Sequence, residues 1–233
     1  MKAVSFSALI TPNFVEAPLK NPFQAQNSSS AAFDNLSQTV IEGDFVRLRP
    51  LRHADAECTL SWRMSHRSSL LNSGAQTVQE QAAFIDSRPR SEINFVIEIL
   101  STGIPVGMLS LIAIDLVNRR AESARFLIGE PELVKGIPVA VEAMKLLYEF
   151  AFHGLGLSRI YGTVASDNHL MIKWQKFLGM VEEGRLRNHY LIQGRFQDAV
   201  CLGILSEEYE KTALPRMKGL MRVGTTRSAE SSS

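Results

Sequence analysis

The 233-residue chain has only two cysteines, Cys58 and Cys201, far apart in sequence. They have neither metal-ligand spacing nor the makings of a disulfide framework. No metal site is therefore expected, and a reducing cytoplasm is the default compartment. An excess of charge is also missing: 25 Lys and Arg stand against 24 Asp and Glu, for a net +1. Such a balance creates no strong field for nucleic acid or an acidic membrane. No apolar run approaches the roughly 18 residues that a membrane helix needs. The first residues, MKAVSFSALITPNF, are interrupted by Ser5 and Ser7, end at Thr11-Pro12 and lack a clear small-residue cleavage site. What is present is 45% hydrophobic and 21% charged residues, which suits one globular domain with tails.

Residues 1–39 read as a poorly ordered extension, because Asn27-Ser-Ser-Ser-Ala-Ala is small and polar with no sustained period. Residues 214–233 read as a flexible tail. Arg216, Lys218, Arg222 and Arg227 there oppose Glu230, and three serines close the chain. The ordered domain is expected over 40–213. Phe45–Arg49 alternates as a strand and is closed by Pro50. Asp55–Met64 suits a helix, and Thr77 with Glu80 forms the capping-box pattern of a second. Residues 94–100 and 105–114 read as a hairpin turning at Ser101-Thr-Gly103, and Ala121–Ile128 as the next strand. A long helix begins near Ile137. Val139, Ala143, Met144, Leu147, Phe150 and Ala151 fall on its inner face, with Glu142, Lys145 and Glu149 on the wet one. A strand at 158–164, a helix at 168–178 and a strand pair turning at Gln193-Gly194 complete the pattern. The order β α α β β β α β α β β calls for an α+β fold. Its mixed, mostly antiparallel sheet has one parallel crossover, through the helix near 137–152.

At that crossover the strand passes through Gly129–Pro138 into the helix. Such a junction aims backbone N–H groups at one point with the helix dipole behind them, and so favours an anion. Several words resemble the GNAT superfamily of acyl-CoA-dependent N-acetyltransferases, in its RimJ/RimL-like branch, which is related to amino-sugar acetyltransferases. They are Ala121-Glu122, Leu127-Ile128-Gly129, Lys135-Gly136-Ile137-Pro138, Glu142-Ala143, Phe150–Ile160, Asn168 and Leu178–Arg187. The likeness covers about residues 42–210.

The resemblance implies a GNAT-like fold and acetyl-CoA as co-substrate. It places the pyrophosphate at the loop, with Lys135, Gly136, Ile137, Val139 and Ala140 as its contacts. The family's loop pattern, Gln/Arg-x-x-Gly-x-Gly/Ala, keeps only Gly136 here: Leu133 stands at the first position and Pro138 at the last. Proline has no N–H to offer but suits a first helical turn. Backbone groups around Leu127 and Ile128 are implied for the oxyanion and for pantetheine. Asn168 and Lys173 are implied cofactor contacts, though asparagine there is equally a helix cap and the lysine reads more simply as a solvated one.

For catalysis, the resemblance points to Glu122 as the base acting on the amine, with Asp198 and His189 as substitutes. The family's usual acid, a tyrosine, falls at Gln175, which has no proton to give. Tyr190 or water remains for that role. Trp62 and Arg63 after the first helix, near Arg67, and Arg187 near the last hairpin are candidates for the acceptor. Each can equally be a core or surface residue. The acceptor implied is a primary amine of a small molecule, such as an amino sugar, or a protein N-terminus, with the chain acting as a monomer or homodimer. A second reading, a GNAT-fold module that binds acyl-CoA without turnover, stays open because of the altered loop and Gln175.

Overall fold

The computed structural model describes residues 38–65 and 74–230, with side chains through residue 222. The expected extension over 1–39 and Arg67 thus lie almost wholly outside the described residues. Strands β1 (Ile41–Glu42), β2 (Val46–Pro50), β3 (Ile93–Ile99), β4 (Pro105–Asp115), β5 (Arg120–Ile128), β6 (Arg159–Ala165), β7 (Val181–Ile192) and β8 (Arg195–Leu205) build one sheet. Their spatial order is β1-β2-β3-β4-β5-β6-β8-β7. The helices are α1 (Ala56–Met64), α2 (Val78–Asp86), α3 (Val139–Glu149), α4 (His169–Phe177) and α5 (Leu214–Glu230). Every neighbouring strand pair is antiparallel except β5 and β6. This is the α+β, mostly antiparallel sheet that the hydrophobic pattern implies.

Local chemistry explains the turns. Gln193 and Gly194 both have positive φ, 50° and 75°, as a two-residue hairpin turn between right-twisted strands demands. Asp115 accepts the backbone N–H of Asn118 at 2.8 Å and folds β4 back onto β5. Thr77 caps α2 by accepting the N–H of Glu80 at 3.2 Å. The Glu80 carboxylate reaches back to the N–H of Gln76 at 2.7 Å, one residue before the position a capping box uses. The β5–α3–β6 crossover forces the one parallel contact, because a strand returning after a helix on one face enters in the same direction.

Helix α3 is the centre of the core. Val139, Ala143, Met144, Leu147, Phe150 and Ala151 are all buried, as the 3.6-residue period anticipates. Glu142 departs from that period. The period puts it on the wet face, but it is only 1% exposed. Its carboxylate accepts the backbone N–H groups of Asp44 at 2.7 Å, Phe45 at 2.7 Å and Val46 at 2.8 Å. These donors open β2, so one side chain of the crossover helix holds the start of a strand far away in sequence. Gly43 permits the approach, since a Cβ there would lie 2.6 Å from the carboxyl carbon of Glu142.

The C-terminal segment also departs from expectation. It is not a free tail from residue 214, because α5 carries Met217, fully buried, and Met221, nearly so. These two lie four residues apart and share one face of the helix. The turn before α5 buries Tyr209 against Tyr148 and Phe152, with ring centres 5.8 and 5.3 Å away. Two methionines in a basic, serine-ended sequence give too sparse an apolar period to announce a packed helix. The ordered domain therefore extends past residue 213.

Glu142→Gln should reveal the weight of the buried carboxylate. An amide offers one acceptor oxygen and turns an NH2 toward N–H donors, so unfolding free energy should fall by about 3 kcal/mol. Urea denaturation measures this, with the exposed Glu207→Gln as a control expected to change it by less than about 0.5 kcal/mol. An equal, small effect of both would mean that the three N–H groups find other partners.

Candidate active site

Strands β5 and β6 pair over only three residues: Arg120 with Arg159, Ala121 with Ile160, and Glu122 with Tyr161. Beyond Glu122 they part. Strand β5 continues along β4 as far as Ile128, and β6 continues along β8 as far as Ala165. The opening is a cleft of about 390 Å³, walled by Glu122–Phe126 on one side and Thr163–Ala165 on the other. Asn168, Met171 and Gln175 of α4 and Tyr190 of β7 close it on one flank; Arg63 and Phe84 reach it from α1 and α2.

Glu122 stands at the point of divergence. The Thr163 hydroxyl donates to its Oε1 at 2.9 Å. The Tyr190 hydroxyl lies 2.7 Å from the same Thr163 oxygen and 3.2 Å from the Thr163 carbonyl. With the threonine proton directed to the carboxylate, the tyrosine proton points to Thr163. Burial raises the Tyr190 pKa above its ordinary value, so the phenol keeps its proton. A bulge in β7 delivers this side chain. Residues 187–189 oppose only Asp198, between the pairs Leu186–Ala199 and Tyr190–Gln197. Asn188 takes φ 50° there and donates its N–H to the Asp198 carboxylate at 3.0 Å. Such bulges re-aim side chains at sites. The His189 ring packs edge-on to Tyr190 at 4.7 Å. Asp198 is thereby a structural acceptor and His189 a neighbour of Tyr190.

Other expected residues fall in several places. Asn168 caps α4, accepting the N–H of Met171 at 3.2 Å, and lines the cleft as well. Gln175 is 5% exposed, and its Oε1 has no hydrogen-bond partner among the described residues. It therefore offers a buried acceptor at the wall of the cleft. Trp62 is not a surface platform: it is 2% exposed, packs with Val96, Met108 and Leu127, and donates its ring N–H to Glu130 at 2.9 Å. Its size and apolar face suit the interior better than the rim. The Leu127 side chain belongs to the same cluster, and the β5 residues that line the cleft are 122–126. Arg187 sits apart, with Arg185, Leu186, Asn188, His189 and Asp198 around a shallow exposed groove. Lys173 is exposed on α4.

The loop before α3 is folded on itself. Gly136 has φ 78°, a conformation glycine adopts without steric cost. Ile137 donates its N–H to Val134 at 3.1 Å, and Val139 donates to Ile137 at 2.8 Å. Lys135 is paired with Glu132. Lys135, Ile137 and Val139, three residues expected to contact the anion, are thus engaged within the loop.

Sequence reasoning missed Thr163, Arg125 and Phe84. Thr163 was within reach: it lies two residues past Tyr161 on β6 and so shares its face, next to the register position of Glu122. Arg125 was not. It has φ 55° in a bulge where β5 slips against β4 between Ala124 and Leu127, and no sequence pattern marks that slip.

Comparisons with known proteins give the family and the fold. The family model described as "Acetyltransferase (GNAT) domain" matches residues 46–181. A curated relative, spermidine N(1)-acetyltransferase of Escherichia coli K12, is 28% identical over 172 residues, covering 70% of this chain and 88% of its own. A putative ribosomal N-acetyltransferase, YdaF of Bacillus subtilis, is 34% identical over 112 residues, covering 48% of this chain and 60% of its own. Among solved structures, a GCN5-related N-acetyltransferase from Brucella melitensis superposes with TM-score 0.67 at 22% identity, over 78% of this chain and 85% of that one. The likeness in that case is one of fold.

Thr163→Val keeps the shape of the residue and removes the hydroxyl that links Tyr190 to Glu122. On ionisation of Tyr190 the Thr163 hydroxyl can turn to donate to the tyrosinate, which offsets part of the rise that burial causes. The variant should therefore ionise Tyr190 at still higher pH than the parent, read as a difference in tyrosinate absorbance during alkaline titration. Superimposable titrations would mean that the two hydroxyls are not coupled.

Proposed function

The chain belongs to the acetyltransferase (GNAT) domain family and is an N-acetyltransferase, and from that premise we propose that it passes the acetyl group of acetyl-CoA directly to a primary amine in the cleft between β5 and β6. The single observation that carries this reading is the chain of hydrogen bonds from Glu122 through Thr163 to Tyr190 at the mouth of that cleft. A carboxylate held at a strand divergence, with one oxygen oriented by a hydroxyl, has its other oxygen available to take a proton.

In this reading Glu122 accepts a proton from the ammonium, directly or through water, and the freed amine attacks the thioester carbonyl carbon. A bond forms from nitrogen to carbon, the carbon–sulfur bond breaks, and the sulfur leaves with the electron pair. A thiol has a pKa near 8.5, so it leaves without an obligatory acid. Tyr190 is then a positioning residue, because its one proton is directed to Thr163, and the second proton that the attacking nitrogen loses passes through water to the leaving sulfur. Backbone groups of β5 beyond Glu122, where it has no partner in β6, favour an extended chain lying along it, as an added strand would. The unpartnered Gln175 Oε1 fits an N–H of such a chain, and Asn168 adds a polar contact at the cleft wall.

The pyrophosphate is assigned to the loop at Lys135–Ala140. There the N–H groups of Ile137 and Val139 would exchange their turn hydrogen bonds for phosphate oxygens, and Lys135 would trade Glu132 for the anion. Acceptors in view are a small-molecule amine, as the name of the spermidine acetyltransferases suggests, or a protein N-terminus, as that of the ribosomal relative does. Both cysteines are free, which fits a reducing cytoplasm as the proposed compartment.

Glu122→Gln tests the reading. Turnover with an accepted amine, measured by thiol release, should fall roughly 10²–10⁴-fold, the range of general acid–base catalysis. Calorimetric affinity for acetyl-CoA should barely change, and the deficit should shrink as rising pH supplies free amine. Parent-like turnover at pH 7 would take Glu122 out of the mechanism.

A further inference from the structure

Beyond Glu122, strand β5 carries one residue more than its partner. Leu127 pairs with Met108 and Ala124 with Ser110, so Arg125 and Phe126 together oppose Leu109 alone. A bulge of this kind interrupts the ladder and re-aims a side chain. The register gives its direction. Ser110 pairs with both Asn94 and Ala124, so these three side chains share one face of the sheet, and Glu122 shares it two residues before Ala124. Simple alternation would send Arg125 to the opposite face. Instead its guanidinium donates to Asn94 at 3.0 Å, on the face of Glu122. The backbone takes φ 55° at Arg125 to do so, a left-handed conformation that a long side chain holds only when its surroundings impose it.

What imposes it is a clamp on the side chain. Both Glu92 oxygens accept from Arg125, at 2.9 and 3.2 Å, a two-point charged contact that fixes orientation as well as distance. Asn94 is itself held by the Ser110 hydroxyl at 2.7 Å. The Arg125 and Glu92 side chains are only 18% and 12% exposed, so water competes weakly for the pair. Arg88 gives Glu92 a second cation at 3.5 Å and covers the Phe84 ring, also at 3.5 Å. The Arg125 guanidinium is therefore spent on acceptors within the protein, and the charge is not a free binding group. On the other edge of β5, pairing with β6 has ended at Glu122. The bulge begins three residues later, at the wall of the cleft that Arg125 and Phe126 line. The clamp thus fixes the backbone of β5 where that backbone has no strand partner on the cleft side.

We propose that Arg125 is a positioning residue for acetyl transfer: held by Glu92 and Asn94, it sets the angle of the β5 bulge so that a backbone N–H at residues 125–126 meets the acetyl oxygen of the thioester. The inference rests on the transfer reading above and adds to it a residue that acts through the backbone. During the attack that oxygen gains negative charge, so a misplaced donor costs more in the transition state than in the bound thioester. This asymmetry separates positioning from binding.

The test compares Arg125→Gly with the parent, both as the full chain. Glycine takes φ 55° without strain, and Glu92 keeps Arg88 as a partner, so the variant removes the clamp and leaves the fold. Calorimetry with CoA and with acetyl-CoA reads the ground state. The variant should bind CoA like the parent and lose about two- to tenfold in affinity for acetyl-CoA, which is what one hydrogen bond is worth. Thiol release with spermidine, and with a dipeptide bearing a free N-terminus, reads the transition state. There kcat should fall roughly tenfold to a hundredfold, with KM for the amine within about twofold of the parent. Arg125→Lys keeps the charge but offers one nitrogen in place of a planar pair, and should recover part of the kcat loss. Arg88→Gln takes the other arginine from Glu92 and should keep the parental kcat. Thermal unfolding of each variant verifies the fold. Parental kcat and parental acetyl-CoA affinity in Arg125→Gly would overturn the proposal and leave the transfer reading standing. So would a raised KM for the amine with kcat kept, which would make Arg125 a binding residue. An equal kcat loss in Arg88→Gln would overturn it too, since the network would then be purely structural. No binding of acetyl-CoA by the parent would overturn it together with the transfer reading.

Discussion

The rest of the site depends on where β5 and β6 stop touching. Their parallel contact lasts three residues and ends at Glu122 and Tyr161. Had it continued, backbone groups of each strand would satisfy the other and no cleft would exist. Because β4 and β8 keep their hold on the two strands past the fork, the divergence is rigid. A rigid fork presents backbone polar groups without a strand partner beside a carboxylate. That combination suits the attack of an amine on a thioester better than any single side chain in it. The family assignment and the geometry meet at this point.

The fork is kept in place from a distance. Helix α3 connects its two prongs, and its buried Glu142 gathers three N–H groups at the start of β2. A carboxylate withdrawn from water is costly unless hydrogen bonds replace its hydration. Here three do, and the crossover helix is thereby tied to the start of β2, three strands from β5 in the sheet. Helix α5 and the turn before it cover another face of α3 through Tyr209, Met217 and Met221. The helix that sets the fork is thus enclosed by the sheet and by the C-terminal segment, which accounts for its burial nearly all round.

The sequence announces features governed by local rules. Gln193-Gly194 signals its hairpin because glycine takes positive φ without steric cost, and Thr77 signals its helix because its hydroxyl matches an orphan N–H. Glu122 was found through family resemblance, and its neighbours through strand alternation once the register was known. What stayed hidden has non-local causes. Glu142 looks wet by period, and only a strand start almost a hundred residues earlier makes it a buried acceptor. Trp62 beside Arg63 looks like a recognition pair, but adjacent residues on a helix face different ways, and Trp62 went to the core. Arg125 and Tyr190 reach the cleft through bulges, and a bulge shifts side-chain facing without leaving a mark in hydrophobic alternation.

The central claim is that acetyl-CoA lies in the fork, along β5 past Glu122, with its phosphates at the loop before α3. Amide hydrogen exchange of the full chain with and without saturating acetyl-CoA tests it most directly. The account predicts slowed exchange over residues 123–128 and 134–141, and little change at residues 181–187 of β7, which lie outside the cleft. Unaltered exchange along β5, with protection confined to the exposed groove around Arg187 and His189, would contradict it.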